Sequence, residues 1–530
     1  MQFNANLAAQ LKKYVRPDQP FGPPDAADIA EPQCAAALFD WNNQAFAELL
    51  TGSDVLVGRR GSGKSALLST FCGRRYMHED LSGQEARAYR DRFRLNAKTL
   101  LAVPDITINA DTPVYMDELE THCERRIPPV EVLSRLWNLR IWLLVGSTLQ
   151  RQHAGLWRRA PSALQAYIAH DDVVSRALAA ASERDAGAPM GTEDFVQAME
   201  AFLLSHGTRC VITFDNMERY KFNDVQNAVL AGLIAATGKM IGTQHPSLDL
   251  KLCLPAEIFE HLKTIIFRPD KDFHKIQYLH WTPVELMHVA ASRLKVYFQL
   301  YDADTYDLCK DLPLSDRAVL RQFWNRFLPE SIVNKLDVEE RTFTYLLRHT
   351  QLLPRQLLTF LNAIARRFTR DGRALFAQPF EAKHIIQGIE DAEDSNAQAV
   401  LAMFKPMYPL VLEVFDNVMP RLTRLFDYGF LHSVYQSSAK KPMAQMQKEE
   451  FHSFWRLMLS TGAIGVVDQD AATEIYEMAK FEFNSDHLLR VSDKDRLCVH
   501  PMFSRIYNVG PAPMPKMVLP RGSDFGLEAN

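Results

Sequence analysis

Eight consecutive residues, Gly58-Arg59-Arg60-Gly61-Ser62-Gly63-Lys64-Ser65, carry the spacing G-x-x-x-x-G-K-[ST]. Each residue type has a task in holding a polyphosphate. The glycines let backbone amides wrap an anion where a Cβ would obstruct, and a helix starting near Lys64 turns its positive dipole end toward the same charge. Lys64 supplies a mobile point charge for the β- and γ-phosphates, and the Ser65 hydroxyl is a ligand for Mg²⁺. Apolar Val55-Leu56-Val57 precedes the turn and Ala66-Leu67-Leu68 follows it. That strand–loop–helix context is what such a motif requires. Gly58 through Ala66 are therefore the candidate nucleotide-binding residues.

A phosphate loop works with a carboxylate at the end of a neighbouring buried strand, which holds the metal shell. Cys210-Val-Ile-Thr-Phe214 reads as a strand buried on both faces, and Asp215 ends it. Asp215 and Ser65 are the candidate metal ligands. Asn216 follows, where many phosphate-loop ATPases place a glutamate, and the first acid beyond is Glu218. An amide can orient a water but cannot take its proton. Turnover is expected to be slow, or to rely on Glu218.

The elements that would position these groups follow from the patterning. Strands are expected at the run Asp54–Val57, at the run PVYMDEL (113–119), at Cys210–Phe214, at Leu250–Leu254 and within HKIQYLHW (274–281). Helical patterns lie between them, which implies an α/β fold with a parallel sheet. The helical pattern 129–150 carries Trp137 and Trp142 at core spacing. Residues 282–400 read as almost entirely helical. Residues 401–510 read as short helices followed by strand-like pieces (AIGVV, KFEF, LRVS, RLCVH), the order of a winged-helix-like domain. The expected division is a flexible, breaker-rich arm (1–35), a phosphate-loop ATPase core with helical insertions (36–281), a helical lid (282–400), the winged-helix-like module (401–510) and a disordered tail (511–530).

In this order, GRRGSGKSALL, PVYMD, ITFDNMER, KLCLPAEIFEHL and LHWTPVELMHVAASRL resemble the STAND and origin-recognition branch of the AAA+ ATPases. The similarity is to bacterial stand-alone members found in anti-phage defence and mobile-element cassettes. The resemblance implies an ATP- and Mg²⁺-dependent switch. It implies a lid arginine reaching the γ-phosphate, for which Arg355 in LPRQLLTFLN matches. It also implies a trans-acting arginine finger, for which Arg268 in IIFRPDK is best placed and Arg293 second, and a winged-helix histidine that contacts nucleotide, matched by His500 in CVHPMF. LKLCLPAEIF lacks the polar residue that the family uses as a first sensor.

A net charge of −4, from 60 basic and 64 acidic residues, excludes a polycation that coats nucleic acid. It leaves local basic faces at residues 73–98 and around Arg421, Arg424, Lys440 and Lys441. No apolar run is long enough to span a bilayer. Scattered single cysteines fit a reducing, cytoplasmic setting. The leading expectation is an ATPase switch that controls a homo-oligomer or a partner effector such as a nuclease. The alternatives are an ATP-dependent DNA-binding protein of origin-recognition or transposition-regulator type, and a nucleotide-bound scaffold that does not hydrolyse.

Overall fold

Five apolar runs separated by helices build the sheet that carries the phosphate loop. The computed structural model describes residues 3–39, 55–68, 106–123, 127–169, 192–215, 223–242, 247–265, 276–372, 375–376, 378–485, 488–511 and 516–523. The strands are β1 (Val55–Gly58), β2 (Ile106–Asp111), β3 (Cys210–Asp215), β4 (Leu248–Pro255) and β5 (Ile276–Tyr278). They lie in the order β2-β3-β4-β1-β5, every pair parallel. β1 and β3 are buried at every position, as strands covered on both faces must be.

The expected strand at 113–119 is a helix, Thr112–Cys123, and the strand is the preceding ITINAD. Pro113 explains the difference. It sits at the first turn of the helix, where its missing N–H removes no hydrogen bond. The helices Val130–Gln152 and Asp224–Gly242 pack together over one sheet face, with Trp137 and Trp142 fully buried. Trp137 Nε1 donates to Val229 O at 2.8 Å. Both tryptophans are core.

Residues 283–402 are helical apart from a short ribbon, β6 (Ser331–Val333) and β7 (Glu339–Arg341), that the pattern did not reveal. Beyond them lies a second five-stranded sheet: β8 (Leu425–Asp427), β9 (Ile464–Val467), β10 (Tyr476–Lys480), β11 (Arg496–Val499) and β12 (Met517–Pro520), in the order β12-β10-β9-β11-β8. AIGVV and RLCVH are strands. LRVS is not, and KFEF leaves the sheet after Lys480 into a short 3-10 turn at Glu482–Asn484. The tail expected to be disordered contributes β12, buried at all four positions and parallel to β10.

The N-terminal arm is also ordered. Asn4 caps the helix Ala5–Tyr14, and Leu11, Val15 and Phe21 are fully buried in the same core as the helices of 283–402. The breakers that suggest a loose arm shape a fixed turn instead. Phe21 N–H donates to Asn362 Oδ1 at 3.1 Å, and Asn362 Nδ2 donates to Gly22 O at 3.0 Å. Arg293 donates to the carbonyls of Phe21 and Pro23 at 3.2 and 2.7 Å.

Candidate functional site

The phosphate loop leaves β1 at Gly58 and enters a helix at Lys64. Gly61 and Gly63 have φ of +85° and +96°, a region costly for any residue with a Cβ. Lys64 folds back over the loop, its Nζ donating to Gly58 O at 2.7 Å and Arg59 O at 3.0 Å. These bonds keep a buried ammonium satisfied, and a phosphate would exchange for them. Ser62 O accepts from Trp281 Nε1 at 2.8 Å, which ties the loop to the segment after β5. Ser65 is exposed.

Asp215 ends β3 and is 8% exposed, in register with Asp111 at the end of β2. Burial holds the Cys253 thiol on β4 well above its usual range. Asp215 adds to that shift and Lys64 opposes it, so both charges act on one point of the sheet. An exposed hydroxyl and a strand-end carboxylate are oxygen donors of the kind Mg²⁺ takes beside phosphate oxygens, with no all-protein cage required. The expected residues Asn216, Glu218 and Arg268 lie outside the described residues, as does the basic stretch 73–98.

Arg355 opens the helix Pro354–Arg370 directly over the loop. Its backbone N–H donates to Gly61 O at 3.4 Å, and a Cβ on Gly61 would lie 3.2 Å from the Arg355 Cβ. The turn feeding this helix holds Leu352 at φ +51°, a strained conformation for a non-glycine residue. The Arg355 guanidinium donates to Asp25 Oδ2 at 2.6 Å. Arg293, the second choice for a finger, is enclosed by the N-terminal turn and pushed down to about 10 by burial.

Arg59 crosses from the loop into the C-terminal module. Its Nη2 donates to Ser460 O at 3.1 Å and Thr461 O at 3.4 Å, and its guanidinium lies 5.9 Å from the Phe483 ring centre. Burial lowers its pKa, opposed by Glu257 and Glu482. Glu482 in turn accepts from Arg456 at 2.7 Å on both oxygens and from Ser460 Oγ at 2.9 Å. From the turn before the helix Pro354–Arg370, Gln351 Nε2 donates to the same Thr461 carbonyl at 2.8 Å.

His500 differs from the expectation. It is fully buried, and its ring sits 4.9 and 5.4 Å from those of Phe481 and Phe483. Nδ1 accepts from Met502 N–H at 3.2 Å and caps the helix Pro501–Ile506. Burial pushes its pKa well below 6.5, reinforced by the field of His349. In this arrangement His500 has a structural job, and contact with nucleotide would require the module to move.

Three residues of the site were not selected from sequence: Asp25, Glu257 and Trp281. Glu257 carried a weaker signal than Asp215. It lies in the first turn of the helix two residues past the end of β4, whereas Asp215 is itself the last residue of β3. Asp25 and Trp281 carried none, because each is defined by a partner distant in the chain.

No protein-family model matches the chain, and no curated protein matches it. Among solved structures it is similar to one described as "Structure of the Aeropyrum Pernix ORC2 protein (ADPNP-ADP complexes)". That similarity covers 86% of each chain at 10% identity with a TM-score of 0.36. Among the described residues, no helix is long and apolar enough to cross a membrane.

Proposed function

We propose that the chain is an ATP-binding and slowly hydrolysing switch of the AAA+ type, with its lid and C-terminal module coupled to the phosphate loop. The observation that carries this reading is the loop itself: Lys64 is bonded to the Gly58 and Arg59 carbonyls, Gly61 and Gly63 are in left-handed conformations, and Asp215 lies two strands away. Mg²⁺, held by Ser65 and Asp215, would neutralise charge on the β- and γ-phosphates. Lys64 leaves its own carbonyls for the phosphates. Arg355, already against Gly61, exchanges Asp25 for the γ-phosphate.

Two contacts support coupling to the rest of the chain. Arg59 is held by carbonyls of the C-terminal module, which the sequence pattern likens to a winged helix, and Arg355 is rooted in the lid. A loop that changes shape on binding pulls on both, the behaviour of a phosphate-held switch. The output of the switch is control of an assembly or a partner effector. The anti-phage setting belongs to this proposal through the sequence resemblance.

Lys64→Ala tests the reading. Binding of a fluorescent ATP analogue should fall at least a hundredfold, and wild-type affinity in that variant would remove the nucleotide site. Phosphate release that is lost in Asp215→Ala separates the hydrolysing switch from a non-hydrolysing scaffold.

A further inference from the structure

Within the ATPase reading just proposed, we infer that Glu257 is the carboxylate that orients the attacking water and accepts its proton. The residue after Asp215 is an amide and cannot do so. Glu257 lies in the first turn of the helix Ala256–Ile265, immediately after β4. β4 pairs with β1 so that Pro255 lies opposite Gly58, and the acid is delivered beside the opening of the phosphate loop. Its Oε1 accepts from the Arg60 backbone N–H at 3.1 Å and lies 3.7 Å from Arg59 Nε. The Glu257 side chain is 4% exposed.

Oε2 of Glu257 is buried without a hydrogen-bond partner among the described residues. A carboxylate stripped of water and only half satisfied costs free energy, which the charge of the buried Arg59 offsets in part. It borders a cavity of about 110 Å³, lined also by Gly58, Arg59, Tyr278, His280 and Trp281. A single water needs roughly 10–15 Å³ by this measure, so the space admits several. One oxygen of the carboxylate is thus fixed to the loop, the other has no protein partner among the described residues, and the residue borders the cavity. A general base needs that division of labour.

The step is balanced as follows. The water oxygen forms a bond to the γ-phosphorus while the bond from that phosphorus to the β,γ-bridging oxygen breaks. ADP leaves with the electron pair, and the water proton passes to Glu257 Oε2, which later returns it to solvent. No other reactant is consumed.

The experiment uses the full chain, with ATP and Mg²⁺ as probes. Glu257→Gln preserves the shape and the acceptor for Arg60 N–H but cannot take a proton. The expected result is ATP affinity within about threefold of wild type, with single-turnover hydrolysis down by about 10²–10⁴. Acid-quenched variant should hold ATP where wild type holds ADP. Hydrolysis at the wild-type rate in Glu257→Gln overturns the inference, and so does loss confined to affinity. Should that variant not fold, Glu257→Asp decides: weak but measurable turnover supports the role, and an unchanged rate overturns it. A wild-type chain that binds no ATP refutes the ATPase reading itself, whereas a wild type as active as its Gln variant refutes only Glu257.

Discussion

Arg355 and Asp25, 330 residues apart, form an ion pair at 2.6 Å above Gly61 of the phosphate loop. Arg355 is thus held by the N-terminal turn, and under the proposed function the γ-phosphate would compete with Asp25 for it. The pair is about one-third exposed, so its worth is modest, about 0.2–1 kcal/mol. Asp25→Asn should tighten ATP binding by up to about fivefold, the equivalent of that range. ADP, without a γ-phosphate, should bind as before. Equal gains for both nucleotides in a titration would show that Arg355 does not turn to the γ-phosphate.

Gly61→Ala should fail on two counts. Its φ of +85° costs a residue with a Cβ about 1–2 kcal/mol, and the new Cβ would lie 3.2 Å from the Arg355 Cβ and 3.3 Å from its Cδ. The loop or the helix Pro354–Arg370 has to shift. Thermal unfolding should occur earlier and ATP affinity should fall. An alanine variant with unchanged melting and binding would contradict the close approach of Arg355 to the loop.

Arg59→Ala removes two hydrogen bonds from a buried cation to the Ser460 and Thr461 carbonyls and strands Glu257 without its counter-charge. Charge-assisted bonds of this kind contribute about 1.5–3 kcal/mol each at most. The C-terminal module should loosen from the core while its own sheet survives. Hydrogen exchange checks this: amides near Ser460 should exchange faster, and those of β9 should not. Uniform protection throughout would mean that Arg59 does not hold the module.

Acid should destabilise the chain partly through His500. An unfolded imidazole protonates near pH 6.5, while burial keeps the folded one neutral well below that. Below pH 6.5 the unfolded state therefore binds more protons, and stability falls as pH drops. His349, also pushed down by burial, adds to the effect. His500→Asn keeps a capping acceptor for Met502 N–H without the titration. It should lose less stability than wild type between pH 7.5 and 5.5 in chemical denaturation, and an equal loss would assign the effect elsewhere.

The parts of the site legible in sequence are those whose chemistry is local. The phosphate loop is eight contiguous residues, and its geometry follows from their types. Asp215 was legible because a buried strand announces itself by an unbroken apolar run. Glu257 was not legible in the same way, because Asp249 and Lys251 interrupt the apolar run of β4 and the acid lies in the helix that follows. Asp25 was hidden because a Gly-Pro-Pro turn carries no periodicity, and its order comes from Arg293 and Asn362, both far along the chain. His500 was placed by its neighbourhood in sequence, whereas three surrounding phenylalanine rings and a helix end decide its role. β12 was missed because four apolar residues in a Pro-rich stretch become a strand only when the edge of β10 is there to pair with.

The bond between Phe21 and Asn362 joins positions 341 residues apart. A ribosome adding about 5–20 residues per second needs roughly twenty to seventy seconds to bridge that interval. During synthesis, then, the phosphate loop is made long before Arg355 and the helix that anchors the N-terminal turn. The contact between Arg355 and Gly61 is therefore among the last made around the loop, after the strands that flank β1 are already complete.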